Sequence, residues 1–324
     1  MKDLVFNIQS DADFEKVALQ VFKHQFENNA VYRSFCDLLY VHPVDVKTIT
    51  QIPFLPIRFF KSHEVISSRD IIQETFTSSG TTGSVTSKHL VTDISWYQKS
   101  FTKGFEHFYG AIEEYTVLAL LPNYLERTGS SLIYMVDDFI QKSKSPESGF
   151  YLNNLDDLAE KLVHLDKKGD KILLIGVSFA LLNLIEKHQF QLQNTIVMET
   201  GGMKGRRKEI TRDELHSLLS KGFGTGKIHS EYGMTELLSQ GYSKGNGVFE
   251  CPPWMQILTR DTDDPLSVLS NQKSGGINVI DLANYNSCSF IATQDLGKVY
   301  GNGSFYVLGR FDHSDIRGCN LMVL

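Results

Sequence analysis

Two short stretches of this 324-residue chain carry residue types that could handle a polyphosphate. Thr77-Ser78-Ser79-Gly80-Thr81-Thr82-Gly83 packs five hydroxyls and two glycines into seven residues. Glycines let a backbone turn its N–H groups towards phosphate oxygens, and hydroxyls add donors; charge-assisted bonds of this kind contribute roughly 1.5–3 kcal/mol each. The loop is not a Walker A motif, because Gly83 is followed by Ser84-Val85 and the nearest lysine is Lys88. By itself it also reads as a surface turn. The second stretch is Glu231-Tyr232-Gly233-Met234-Thr235-Glu236, for which the sequence predicts a strand over Lys227 to Ser230, a glycine turn and a short helical run. There a tyrosine ring can stack on a base, a threonine hydroxyl can meet a phosphate, and a carboxylate can hold Mg²⁺ against phosphate oxygens. The bland alternative is a helix start whose Thr235 and Glu236 complement the dipole.

Elements must position these stretches. Phe14, Val17, Ala18, Val21, Phe22 and Phe26 fall at helical spacing after Asp11 and Asp13, which the pattern offers as N-caps; Tyr32, Phe35, Cys36 and Leu39 repeat the spacing. Ile52-Pro53-Phe54-Leu55-Pro56 reads as an extended connector. From Glu74 the chain alternates apolar strands (Val117 to Leu121, Ile172 to Val177, Thr195 to Met198) with helical patterns at 95–109, 130–141, 155–165 and 179–188. That alternation predicts a mainly parallel sheet covered by helices. Thr211 and Glu214 form a capping box for a helix to about Leu219. Beyond Phe249 short strands take over (Trp254 to Leu258, Gly276 to Ile280, Phe290 to Thr293), closing in a hairpin around Gly301-Asn302-Gly303. The expected division is an α/β region at 1–248 and a β-rich subdomain at 249–324.

Composition narrows the function classes. With 32 Lys+Arg against 38 Asp+Glu the net charge is −6, which offers no cationic surplus for general nucleic-acid binding. Cys36, Cys251, Cys288 and Cys319 lie far apart with no C-x-x-C pair, against a zinc ribbon or a disulfide framework. No signal-peptide run opens the sequence and no eighteen apolar residues run together, so the expectation is a cytoplasmic protein with no membrane span.

Read together, Ser78 to Gly83 and Tyr232 to Glu236 resemble the phosphate loop and the adenine/Mg²⁺ motif of adenylate-forming enzymes. Thr293-Gln294-Asp295-Leu296-Gly297 resembles the ribose segment of that superfamily, and Gly309-Arg310-Phe311-Asp312-His313-Ser314-Asp315-Ile316-Arg317-Gly318 its hinge. Ile52 to Lys61, Tyr124 to Ser131 and Arg317-Gly318-Cys319-Asn320 make the chain similar to the LuxE-type acyl-protein synthetases, over most of its length from about residue 50. The resemblance implies an α/β fold like the N-terminal domain of adenylate-forming enzymes, with helix-covered, mainly parallel sheets and a C-terminal β-rich subdomain. It also implies no small C-terminal lid, since only twelve residues follow Asp312.

By the same resemblance the cofactors are ATP and Mg²⁺. Ser79, Gly80, Thr81, Thr82 and Gly83 would hold the β,γ-phosphates, Tyr232 and Gly233 with Gly201 and Gly202 would face adenine, Thr235 would touch the α-phosphate, and Glu236 would hold the metal. Asp295 and Arg310 would bind ribose hydroxyls, and Cys319 would accept the acyl group. The implied reaction is activation of a carboxylic acid, a fatty acid in that family, as an acyl-adenylate, with transfer to a protein thiol on this chain or on a partner protein. Two alternatives are a CoA-ligase half that borrows a lid from a separate chain, and a nucleotide-binding scaffold without turnover. The cations of Lys204-Gly205-Arg206-Arg207-Lys208 read as a solvated surface run.

Overall fold

The computed structural model describes residues 1–78, 85–121, 129–151, 154–201 and 210–311. A short α1 (Lys2–Val5) precedes α2 (Asp11–Asn28) and α3 (Ala30–Leu38). The cap of α2 is Ser10, whose hydroxyl accepts from the Asp13 amide at 3.2 Å. Asp11 and Asp13 are therefore not the caps that the spacing suggested; they occupy the first turn, where carboxylates complement the dipole. At the end of α3, the Val41 amide donates to the Cys36 carbonyl (3.0 Å) and the Tyr40 amide to Asp37 (3.1 Å), the Schellman pattern. Tyr40 takes the left-handed position, φ 56°, that glycine usually fills. Within the proline-bounded connector Leu55–Pro56 forms β1, followed by α4 (Phe59–Ser62).

Next come β2 (Glu74–Thr77) and β3 (Lys88–Val91), an antiparallel pair, and α5 (Ile94–Tyr109). The α/β layers follow as β4 (Thr116–Leu120), α6 (Ser131–Lys142), β5 (Gly149–Phe150), α7 (Leu155–Lys168), β6 (Ile172–Val177), α8 (Ser178–Lys187), β7 (Thr195–Thr200) and α9 (Arg212–Phe223). They end in β8 (His229–Tyr232), β9 (Gly241–Ser243) and β10 (Val248–Phe249). The sheet order is β5-β4-β6-β7-β8-β9, parallel throughout except that β9 returns antiparallel to β8. Every residue of β4 and of β6 is buried, as expected for parallel strands covered on both faces. The four helical patterns around 95–188 appear as α5 to α8. Thr211 caps α9 by accepting from the Glu214 amide at 3.2 Å, and the helix runs on to Gly224, which ends it at φ 64°. Asp166 ties α7 to the start of β7: its carboxylate accepts from the amides of Gln193 (2.9 Å) and Asn194 (2.8 Å) and from the Thr195 hydroxyl (2.7 Å).

One local expectation is corrected here. No helix follows Gly233; residues 233–240 form an irregular turn that feeds β9, and the strand before it ends at Tyr232 rather than at Ser230. The register Ser230↔Ser243, Glu231↔Tyr242, Tyr232↔Gly241 explains this, because the chain reverses into a ladder that satisfies its backbone without a helix.

The last segment holds β11 (Met255–Arg260), β12 (Ser274–Asp281), β13 (Phe290–Val299) and β14 (Phe305–Arg310), joined antiparallel in sequence. β1 lies parallel to the first half of β13 (Leu55↔Ile291), and β14 pairs with its second half. The chain thus forms two compact units: Asp70–Pro252, and Met1–Arg69 together with the described part of Pro253–Leu324. That grouping differs from a division at residue 248, because the N-terminal helices dock on the late strands. Gln25 donates to the Asn284 carbonyl and accepts from the Ser289 amide, at 3.0 and 2.9 Å. No helix of the described residues is long and apolar enough to cross a membrane.

Candidate functional site

Parallel strands β4, β6, β7 and β8 end on one edge of their sheet, and the carboxyl ends of such strands are where open α/β sheets take ligands. Gly201 follows β7 at that edge with φ 69°, a left-handed turn that suits glycine. The β7–β8 register brings Thr200 beside Glu231, and the Thr200 hydroxyl donates to Glu231 Oε2 at 2.6 Å. Glu231 Oε1 lies only 2.4 Å from the point a Cβ on Gly233 would occupy. A side chain at position 233 would therefore have to displace the Glu231 carboxylate. Tyr232 is buried, with its ring edge-on to Phe249 at 5.9 Å, and the Arg212 guanidinium stands 5.0 Å over Phe249. In the turn that follows, Thr235 is half-buried and Glu236 is 6% exposed.

The strand leaving the hydroxyl-rich stretch reaches this turn. His89 on β3 is buried, and its Nδ1 lies 2.9 Å from the Thr235 carbonyl oxygen. The base of the hydroxyl-rich loop is itself closed, since the Ser78 amide donates to the Ser87 carbonyl (3.2 Å) and the Ser87 amide to Ser78 Oγ (2.9 Å). Residues 146 positions apart in sequence are thereby joined within one unit.

Behind the sheet edge sits a buried ionic cluster. Glu199 accepts from Ser178 Oγ at 3.2 Å, and its other oxygen lies 3.5 Å from His216 Nε2 and 3.7 Å from Arg212 Nε. Burial alone would raise the Glu199 carboxyl, but His216, Arg212 and Ser230 outweigh it and hold the group below the ordinary carboxylate value. Ser230, His216 and Glu199 are the residue types of a hydrolytic triad. The geometry is wrong for one, because serine and carboxylate both approach the same ring nitrogen and Ser230 is wholly buried.

In the other unit, the β13–β14 register places Asp295 opposite Arg310, and Arg310 Nε donates to Asp295 Oδ1 at 3.2 Å. The pair is asymmetric: Asp295 is buried and Arg310 exposed. Asp295 is fixed from behind, since its amide donates to Thr293 Oγ1 at 3.1 Å, while the buried Arg260 reaches the Ile277 carbonyl at 2.7 Å and grips that of Thr293. Cys36 and Cys288 are core residues whose thiols burial pushes up, Cys36 to about 12, so neither supplies a thiolate.

Of the residues singled out from sequence, Gly201, Tyr232, Gly233, Thr235 and Glu236 lie together at one sheet edge, and Asp295 and Arg310 form a pair in the second unit. Ser79, Gly80, Thr81, Thr82, Gly83, Gly202 and Cys319 lie outside the described residues. Sequence reasoning missed His89, Thr200 and Glu199, and gave Glu231 a place in the hexapeptide but no role. Among the described residues no cluster of three His, Cys, Asp or Glu could hold a metal. A divalent ion here would rest on Glu236 and on ligand phosphates, which is how Mg²⁺ is usually held, by one or two carboxylates plus phosphates.

The model of the acyl-protein synthetase LuxE family matches residues 6–324. The chain belongs to that family. Its class is accordingly that of acyl-protein ligases. A long-chain-fatty-acid–luciferin-component ligase of Vibrio harveyi is 24% identical over 303 residues, covering 86% of this chain and 77% of that one. Among solved structures, the ATP-bound MatB of Rhodopseudomonas palustris matches with a TM-score of 0.55 and 18% identity, covering 75% of this chain. This chain spans about half of MatB's length, 49%. A 2-hydroxyisobutyryl-CoA ligase in complex with 2-HIB-AMP and CoA matches with a TM-score of 0.71 and 11% identity, covering 94% of this chain and 70% of that one. These likenesses establish the fold as that of adenylate-forming enzymes.

Proposed function

We propose that this synthetase uses ATP to activate a fatty acid as its acyl-adenylate and then passes the acyl group to a cysteine thiol. The observation that carries the reading is the His89–Thr235 hydrogen bond, which sets the hairpin bearing the hydroxyl-rich loop against the Tyr232–Glu236 turn. A phosphate-binding loop and a base- and metal-binding turn are useful for adenylation only if they are neighbours.

In the proposed reaction a carboxylate oxygen attacks the α-phosphorus, the bond from that phosphorus to the bridging oxygen breaks, and pyrophosphate leaves. Ser79, Gly80, Thr81, Thr82 and Gly83 donate to the β,γ-phosphates. The Thr235 hydroxyl donates to the α-phosphate, and Gly201, Gly202, Tyr232 and Gly233 enclose the adenine. The Asp295–Arg310 pair of the other unit carries an acceptor and donors of the kind ribose hydroxyls need. Glu236 would hold Mg²⁺, which would supply positive charge against the leaving pyrophosphate. Preorganised donors of this kind contribute about 3 kcal/mol each to the transition state. In the second step the Cys319 thiolate attacks the acyl carbon and AMP departs, leaving a thioester; a partner protein's thiol then exchanges the acyl group.

The test is ATP–pyrophosphate exchange in the presence of acids from acetate to palmitate. Exchange that appears only with a long-chain acid supports the reading, and no exchange with any acid in folded protein rejects it. Glu236→Ala should reduce exchange strongly. Cys319→Ala should spare exchange and abolish covalent labelling by radioactive acid; unchanged labelling would move the acceptor elsewhere.

A further inference from the structure

His89 belongs to none of the motifs above, yet its ring is the group that reaches the Thr235 backbone. We infer that His89 is a positioning residue for adenylation, fixing Thr235 by an Nδ1–H hydrogen bond to its carbonyl. The inference rests on the reading that Thr235 meets the α-phosphate.

Four features support it. A carbonyl oxygen can only accept, so at 2.9 Å His89 Nδ1 must carry a proton, which excludes the neutral tautomer protonated at Nε2 alone. His89 is 1% exposed, so water competes poorly for the bond. Its strand is held by the β2–β3 ladder, where His89 stands opposite Phe76, and by the Ser78–Ser87 closure beside it. Thr235 by contrast sits in a turn outside any helix or strand, steadied locally by the bond from the Leu237 amide to Met234. A rigid strand therefore supplies the fixed end and an irregular turn the end that needs fixing. Through that bond the Thr235 backbone is held to β3.

Asparagine tests this chemistry, because its Nδ2 can stand near the place of the imidazole Nδ1 and still donate. Leucine fills similar space without a donor. His89→Leu is expected to lower kcat for acid-dependent ATP–pyrophosphate exchange roughly 10- to 100-fold, the scale on which a displacement of about 1 Å acts. The KM for the fatty acid should stay within about twofold, and His89→Asn should recover most of kcat. The three proteins are compared by urea unfolding, so that rates refer to folded enzyme. A residue that only packed the core would show losses that follow stability, with no rescue by asparagine.

Exchange in the wild-type protein with an unaffected folded His89→Leu variant, or with asparagine no better than leucine, overturns the inference alone. No exchange in the wild-type protein overturns the reading of the site and the inference with it. Should His89→Leu fail to fold, long-range ¹H–¹⁵N spectra of the wild-type histidine rings decide: Nδ1 protonated in a buried ring at pH 8 upholds the inference, and a bare Nδ1 overturns it.

Discussion

Gly233→Ala should do damage through a single carboxylate, and the expected size follows from the geometry. The new methyl would sit 2.4 Å from Glu231 Oε1 and 3.4 Å from Gln240 Cγ. The second is an ordinary van der Waals contact, whereas the first requires the carboxylate to swing away. Glu231 cannot swing without giving up the 2.6 Å bond from the buried Thr200 hydroxyl. A hydrogen bond to a charged group contributes about 1.5–3 kcal/mol. Gly233→Ala should therefore destabilise the protein by about 2 kcal/mol, and lower pyrophosphate exchange further because Tyr232 and Thr235 flank the site. The assay is a double-mutant cycle in urea. In a Glu231→Ala background the obstacle and the bond are both gone, so adding Gly233→Ala should cost under about 0.5 kcal/mol, a coupling of the size seen for residues in contact. If the two substitutions are additive, the carboxylate is not the reason for the glycine.

Asp166→Ala removes the acceptor for two backbone amides and one hydroxyl, and should cost about 3 kcal/mol by chemical denaturation, with Asp166→Asn intermediate. Because the folded Glu199 carboxyl lies below its unfolded value near 4.5, its contribution is present above that value and lost as pH falls through the folded one. Stability curves measured from pH 6 down to pH 3 should therefore fall less steeply in Glu199→Gln than in the wild type; parallel curves would refute the assignment. Tyr40→Gly should raise stability by up to about 1 kcal/mol, since an L-residue at φ 56° is strained by roughly 1–2 kcal/mol and the exposed ring gives up little.

Much of this was legible because local chemistry and tertiary demand agree. The α5 to α8 patterns, the Thr211 cap of α9 and the hairpin at Gly301-Asn302-Gly303 each state their own structure, and the structure follows them. Residues 232–236 stand out in the sequence by residue type and order. Their neighbours were not, because hydrogen-bond partners from other strands leave no periodic trace. A single histidine in Lys88–Val91 reads as core until a carbonyl 146 positions away is seen beside it. The return of β9 was hidden for a related reason: Gly233 and the polar residues after it suit a helix start as readily as a turn, and only the pairing with β8 decides. Likewise a two-residue strand that itself ends on a proline looks like a connector, so the partnership of residues 1–69 with the late strands could not be read locally.

That partnership has a consequence during synthesis. Leu55 finds its sheet partner only at Ile291, 236 positions further on, and Gln25 must likewise wait for Ser289. At translation rates of about 5–20 residues per second, the early helices spend on the order of ten to fifty seconds with their apolar faces uncovered, while strands β4 to β9 find all their sheet partners within Asp70–Pro252. The nascent chain should thus acquire protease resistance from its middle outwards, and its first segment is the one with the greatest call on chaperones.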